Sequence, residues 1–193
     1  MCFIKHSHPK NILFASWAWS RQVILCSALL LLFVLFPSCK KHDSNDRFET
    51  IRETNLVLPS GHLLKTSLAI TEEEQRQGLS GIQPDQFSDE RGLLFFYLED
   101  GQRRFWMIDT YFPLDIIFLD SALNVIAVEK NVPFYPFQKF SPDIPTTKII
   151  WARHVLEIKA GTSLGEEIKT GVRLQITGAS SLSKIEQEIR RLK

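Results

Sequence analysis

Residues 105–120 read FWMIDTYFPLDIIFLD, and the fold depends on how this stretch divides. Tyr111-Phe112-Pro113 splits it, because proline fixes φ and withholds a backbone donor. In the second half, strand alternation sets Asp115, Ile117 and Leu119 on one face and Leu114, Ile116 and Phe118 on the other. In RFWMIDT (104–110) the same alternation groups Phe105, Met107 and Asp109 against Trp106, Ile108 and Thr110. The run has the density of a buried core, yet it carries two carboxylates. An unpaired buried carboxylate costs on the order of several kcal/mol, so each needs a partner or a task.

One expectation is structural. Turn N–H groups, the Thr110 hydroxyl or one of Arg91, Arg103 and Arg104 satisfy Asp115, which then pins the corner at Tyr111-Phe112-Pro113. The other is chemical: Asp109 and Asp115 meet at one end of a barrel, with His154 or Arg104 near, and perform acid/base work on a sugar or ester. That mechanism depends on the distance between the two carboxyls.

Outward from this stretch, short runs punctuated by turns predict more strands. NLVLPSGHLLKTSLAI (55–70) reads as a hairpin around Pro59-Ser60-Gly61. GLLFFYL (92–98), RFWMIDT (104–110), LDIIFLD (114–120), NVIAVEK (124–130), WARHVLEI (151–158) and VRLQITG (172–178) follow, with residues 121–123 short enough for an antiparallel connection. No βαβ alternation is visible, so the predicted fold is all-β, a sandwich or barrel. One short internal helix is expected in TEEEQRQGL (71–79), where Thr71 and Glu74 form a capping box, Glu72 and Arg76 pair, and Gly78 ends the helix. VPFYPFQKFSPDIP (132–145) holds four prolines and four aromatics and reads as an ordered loop, either the lip of a groove or a lid on the core. SLSKIEQEIRRLK offers Ser183 and Glu186 as a cap and Leu182, Ile185, Ile189 and Leu192 as an apolar stripe. That predicts a docked amphipathic helix with a Glu186–Arg190 pair.

The N-terminus carries an address. VILCSALLLLFVLFPS (23–38) follows Arg21 and is shorter than the ~20 residues of a membrane-spanning helix, as expected of a signal-peptide core. Leu35-Phe36-Pro37-Ser38-Cys39 resembles a bacterial lipobox, which implies lipidation at Cys39. The expected organisation is a lipoprotein-type signal peptide over 1–38, a polar tether over 39–53, a β domain over 54–178 and a C-terminal amphipathic helix over 179–193. The chain is then displayed at a bacterial envelope, anchored to a membrane by acyl chains such as palmitate.

Composition narrows the chemistry. Apolar residues make up 44% and charged residues 23% of 193, enough for an ordinary core. Without Lys5, Lys10 and Arg21, the segment from Cys39 holds 20 basic and 22 acidic residues, a formal −2, and no basic tract with interleaved aromatics, so nucleic acid is not an expected partner. Cys2, Cys26 and Cys39 all fall at or before the processing point, which leaves no thiol for a disulfide, zinc site or nucleophile in the domain. His42, His62 and His154 are the histidines after that point, at no metal-binding spacing, and no metal or cofactor is expected. Neither a nucleophile elbow nor a phosphate-cradling glycine loop is present.

From about Lys65 to Leu174 the chain resembles the DUF192 family of exported or membrane-associated prokaryotic domains. The residues that carry the resemblance are Glu74, Gly78 and Leu79; Gly92 to Phe95; Phe105, Trp106, Met107 and Thr110; Pro113 to Ile116; Asn131 and Pro133; and Val155, Leu156, Glu157, Ala160 and Gly161. Ile108 and Asp109 replace the family's usual Lys-Asn, His154 stands where an aromatic is common, and Val172 stands where an Asp is common. The resemblance implies a compact β-sandwich or barrel and no established activity.

The leading expectation is a lipid-anchored binding or accessory module without catalysis. Its ligand, a small molecule, glycan or protein, would meet Trp106, Asp109, Thr110, Asp115, Arg104 and His154 beside the aromatic loop. The alternative is an envelope hydrolase acting on carbohydrate or peptidoglycan-like material through Asp115 and Asp109.

Overall fold

The structure is a computed structural model that describes residues 53–177 and 181–192. The expected signal segment (1–38), Cys39 and the tether up to residue 52 lie outside the described residues. In chain order the elements are β1 (Glu53–Val57), β2 (Leu63–Ala69), α1 (Glu72–Gln77), β3 (Arg91–Phe95), β4 (Gly101–Arg103), β5 (Leu114–Leu119), β6 (Val125–Val132), β7 (Ile150–Ala152), β8 (His154–Lys159), α2 (Ser163–Glu167), β9 (Gln175–Thr177) and α3 (Leu182–Leu192). Strands dominate and the helices are short, as expected of an all-β domain. Among the described residues no helix is long and apolar enough to cross a membrane.

Seven strands form one mixed sheet in the order β6-β5-β8-β3-β2-β1-β9, and β4 pairs with β7 apart from it. Both edges of the large sheet are tied together. The Val125 N–H donates to Val172 C=O at 2.8 Å, the Gly171 N–H to Val125 C=O at 2.9 Å, and Asn124 bridges Arg173. Residues 171–174, which lead into β9, thus close the sheet against the start of β6 as a barrel. The closing contacts engage the first residue of β6 and the residues just before it.

The strand at 114–119 is buried at every residue, and its alternation is the one its sequence predicts. Ile117 and Leu119 join Leu56, Leu64, Leu94, Leu156 and Ile158 in the barrel interior. Leu114, Ile116 and Phe118 face outward into a second cluster with Phe95, Met107, Phe112 and Val155. The excursions that leave the barrel cover this outer cluster. α2 and α3 close onto the interior, contributing Ile168 and the pair Ile185 and Ile189.

Several local expectations are corrected. RFWMIDT is not a strand: the Met107 N–H donates to Pro145 C=O, the Asp109 N–H to Phe137 C=O and the Thr110 N–H to Tyr135 C=O, so its backbone zips onto the proline-rich loop, and Asp109 turns left-handed at φ 56°. WARHVLEI divides at Arg153, because β7 leaves to pair with β4 while β8 stays in the barrel. β2 and β3 pair in parallel, with α1 in the crossover between them, a single βαβ-like unit inside the all-β domain. In α1 the Thr71/Glu74 capping box forms as read, but Arg76 pairs with Glu73 at 2.6 Å and not with Glu72. The hydroxyl that caps α3 is that of Ser181, which accepts from the Lys184 N–H at 3.3 Å, and Glu186 stands 3.9 Å from Arg153.

Candidate functional site

Asp115 takes a structural position. It is 1% exposed; Oδ2 accepts from Lys130 Nζ at 2.9 Å and Oδ1 from the Asn131 N–H at 2.8 Å. Lys130 also donates to Gly165 C=O at 2.7 Å. The carboxylate therefore pins the irregular end of β6, where the register slips between Leu114 and Ile116 and Asn131 adopts φ 51°, to the first turn of α2. A Cβ at Gly165 would lie 2.9 Å from Asp115 Oδ2, so glycine there is a packing requirement. The partners are a lysine and a β6 amide, not the arginines or the Thr110 hydroxyl considered from sequence.

Asp109 stays near the surface and accepts from the Tyr111 hydroxyl at 3.0 Å and the Gln138 amide at 3.3 Å. His154 pairs with Leu119, four residues along β5 from Asp115, and a strand rise of ~3.3 Å per residue puts them roughly 13 Å apart. It is fully buried against Phe96, with ring centroids 4.3 Å apart, and burial together with Arg153 lowers its pKa to about 3. The Tyr97 N–H donates to Nδ1 at 3.3 Å, which leaves the proton on Nε2 of a neutral ring. The carboxylates and the histidine thus have separate surroundings, and none of the three lines the cleft beside Trp106.

That cleft has a volume of about 250 Å³. One wall is the C-terminal half of α1 through Ser80, and the other runs from Gln102 to Trp106. Thr110, Phe95, Tyr97 and Glu157 complete it. Of the residues singled out in sequence, Arg104, Trp106 and Thr110 meet here. Thr110 is buried and fixes the corner, donating to Met107 C=O at 2.7 Å and accepting from the Tyr135 N–H at 3.1 Å. Trp106 is 53% exposed, and Arg104 donates to the Thr146 hydroxyl at 3.0 Å.

Glu157 is the residue the sequence reading passed over as a site. On β8 it points to the outer face, in register with Leu93 on β3 and Ile116 on β5. It is 5% exposed, and among the described residues its Oε2 has no hydrogen-bond partner. Burial in this apolar setting pushes its pKa up to about 8, so at neutral pH it is mostly a carboxylic acid that can donate as well as accept. Gly78 lies beside it: φ is 51°, and a Cβ would sit 3.1 Å from the Phe95 ring and 3.9 Å from Glu157 Oε2. Arg103 lays its guanidinium 3.6 Å from the Tyr97 ring centroid and donates to Glu99 C=O, while its buried Nε–H has no partner among the described residues. The sequence did carry a signal, since VLEI puts a carboxylate in an apolar run just as PLDI does.

A second concavity, about 440 Å³, adjoins the first and shares Arg104, Phe105 and Trp106 with it; Phe140, Pro142 and Ile144 form its far side. Elsewhere Ser60, His62 and Glu167 cluster on the surface. Ser60 Oγ at 2.9 Å and Glu167 Oε1 at 3.4 Å both reach His62 Nδ1, so no proton relay runs through the ring. Among the described residues no three of His, Cys, Asp and Glu converge as a metal site.

Fold and cleft together define a small mixed β-barrel domain with a lateral, carboxyl-floored cleft. The chain belongs to the DUF192 family, described as "Uncharacterized ACR", whose model matches residues 56–176. No curated protein matches. Several solved structures are similar, two crystal structures among them. One, a candidate transcription regulator from Sinorhizobium meliloti 1021, is 29% identical over 64% of this chain and 92% of that one, with a TM-score of 0.51. The other, a protein of unknown function from Novosphingobium aromaticivorans DSM 12444, is 28% identical over 64% of this chain and 83% of that one, with a TM-score of 0.50.

Proposed function

We propose that this protein is a lipid-anchored accessory module of the bacterial envelope that binds a ligand in the cleft between α1 and Trp106, without turnover. The observation that carries the binding site is that Glu157 Oε2 and the Arg103 Nε–H, on two residues lining the cleft, are buried and have no partner among the described residues. Leaving buried polar groups unmatched costs about 1–3 kcal/mol each, a cost that a ligand offering complementary groups removes. The anchor rests on the apolar segment 23–38 and Cys39.

The lining supports a reading without glycoside hydrolysis. Hydrolysis of a glycosidic bond calls on two carboxyls across the scissile atoms, and Glu157 is the one carboxyl lining this cleft among the described residues. Asp109 and Asp115, the pair on which the hydrolase alternative was built, are each engaged elsewhere.

The test is a thermal-shift screen of the full chain against envelope-derived small molecules and glycans, run beside Trp106→Ala. A ligand that raises the wild-type Tm by several degrees, fails on Trp106→Ala and emerges chemically unchanged is the expected result. Conversion of that ligand to product would replace this reading with the enzymatic one. A screen without any ligand whose effect depends on Trp106 would remove the cleft as the binding site.

A further inference from the structure

The lining of the cleft restricts what can occupy it. Arg103 and Arg104 both line it, and among the described residues neither has a carboxylate within ion-pairing distance; Arg76, on the α1 wall, is already paired with Glu73. Glu157, held neutral by its surroundings, does not cancel that charge near pH 7. The cleft is therefore a net positive site whose lining carries two buried hydrogen-bonding groups, Glu157 Oε2 and Arg103 Nε, without a partner among the described residues. Arginine's planar fork suits a carboxylate, and a neutral carboxyl both donates and accepts, as a sugar hydroxyl does.

Trp106 adds a platform. Its indole is half-exposed and lines both concavities, and Phe140, 70% exposed, stands on the far side of the second. Exposed aromatic surface rimmed by polar groups marks a binding groove, and a flat aromatic face beside hydrogen-bonding side chains matches a pyranose ring, apolar on its C–H face and polar at its edge. Two concavities joined over one indole make room for more than one ring.

We propose that the cleft binds an acidic oligosaccharide, its carboxylate on Arg103 and Arg104, one ring stacked on Trp106, and the chain continuing into the groove beside Phe140. The proposal deepens the function above and rests on the same cleft. Glu157 serves as a hydrogen-bond partner for a ring hydroxyl or the carboxylate and has no catalytic part.

Calorimetric titration of the detergent-solubilised full chain tests it, with uronate, sialylated and muramic-acid-containing oligosaccharides as probes beside neutral maltotetraose and inorganic phosphate. At least one acidic oligomer is expected to bind ten-fold or more tighter than maltotetraose and not to be displaced by equimolar phosphate. Arg104→Gln, an exposed change, should weaken it about ten-fold and Trp106→Ala more; Glu157→Gln, which keeps a donor and an acceptor, should stay within a few-fold, while Glu157→Leu loses at least ten-fold. Equal binding of maltotetraose, or competition by phosphate, would overturn the acidic-sugar assignment and leave the cleft as a binding site. Failure of every oligosaccharide would overturn it as well, and the thermal-shift screen then decides separately whether the cleft binds anything.

Discussion

Glu157 and His154 sit three residues apart on one strand and respond to burial in opposite directions. The acid has a pKa of about 8 against an ordinary 4.5, and the ring about 3 against 6.5. Between pH 4.5 and 8 the folded chain holds a proton on Glu157 that the unfolded chain releases, so this group lowers stability as pH rises through that window. Between pH 3 and 6.5 the unfolded chain protonates the histidine and the folded one does not, so His154 raises stability with pH there. The two effects offset each other from 4.5 to 6.5, and above 6.5 only the Glu157 effect remains. Urea denaturation should therefore show a loss of roughly 2 kcal/mol from pH 6.5 to 8, at ~1.4 kcal/mol per pH unit. Glu157→Gln should remove most of that slope, and an unchanged slope would mean that Glu157 is not buried as a neutral acid. Asp115 poses the other residue-scale problem, because its charge is matched. Lys130→Met strands a buried carboxylate and should cost about 3 kcal/mol. Pairing it with Asp115→Asn should recover part of that loss, the signature of a coupled pair in a double-mutant cycle.

Elements bounded by their own turn chemistry were legible in the sequence. The hairpin at Pro59-Ser60-Gly61, the capped α1 and the β5–β6 connection stand where their local residues place them. Elements whose hydrogen bonds run to distant residues were not. The 104–110 segment keeps a strand's alternation, with Met107 buried and Trp106 exposed, yet its backbone partners are Tyr135, Phe137 and Pro145, and nothing local names them. α2 was missed for want of length, since five residues give no readable period. At this scale Gly78 joins fold to site, for it ends α1, holds φ 51° with ψ −131°, and clears the way to Glu157. Gly78→Ala should destabilise the domain by about 1–3 kcal/mol, measured as a shift in the urea midpoint at constant m-value. A neutral result would mean the α1 terminus relaxes to another conformation. α3 is tested in the same way: Ile189→Ala removes a side chain buried in the barrel interior and should cost about 2–5 kcal/mol if the helix is integral to the domain. A helix merely resting on the surface would tolerate the change.

For the described domain as a whole, the barrel sets where the cleft lies. Closure through residues 171–174 uses the edges of the sheet, and α2 and α3 close on the interior, so the cleft is built outside the barrel between α1 and the 101–106 segment. Class and strand content were readable from the apolar runs, but closure was not, because it depends on pairing between residues about fifty positions apart, such as Asn124 and Arg173. A display role requires this domain to be held at a surface by the chain before it. Under the function proposed above, the acid-free N-terminus, the apolar run 23–38 and Ser38-Cys39 act as a lipoprotein signal. Acyl chains contribute ~0.8 kcal/mol per buried CH₂, so two or three of them hold a protein at a membrane with no spanning helix. In a bacterial host, labelled palmitate should therefore enter the wild-type chain through a hydroxylamine-resistant linkage, the isolated chain should begin at Cys39 by mass spectrometry, and Cys39→Ala should abolish both. Recovery of a chain that retains residues 1–38 and carries no acyl group would overturn the lipid anchor and leave the apolar segment 23–38 as an uncleaved anchor instead.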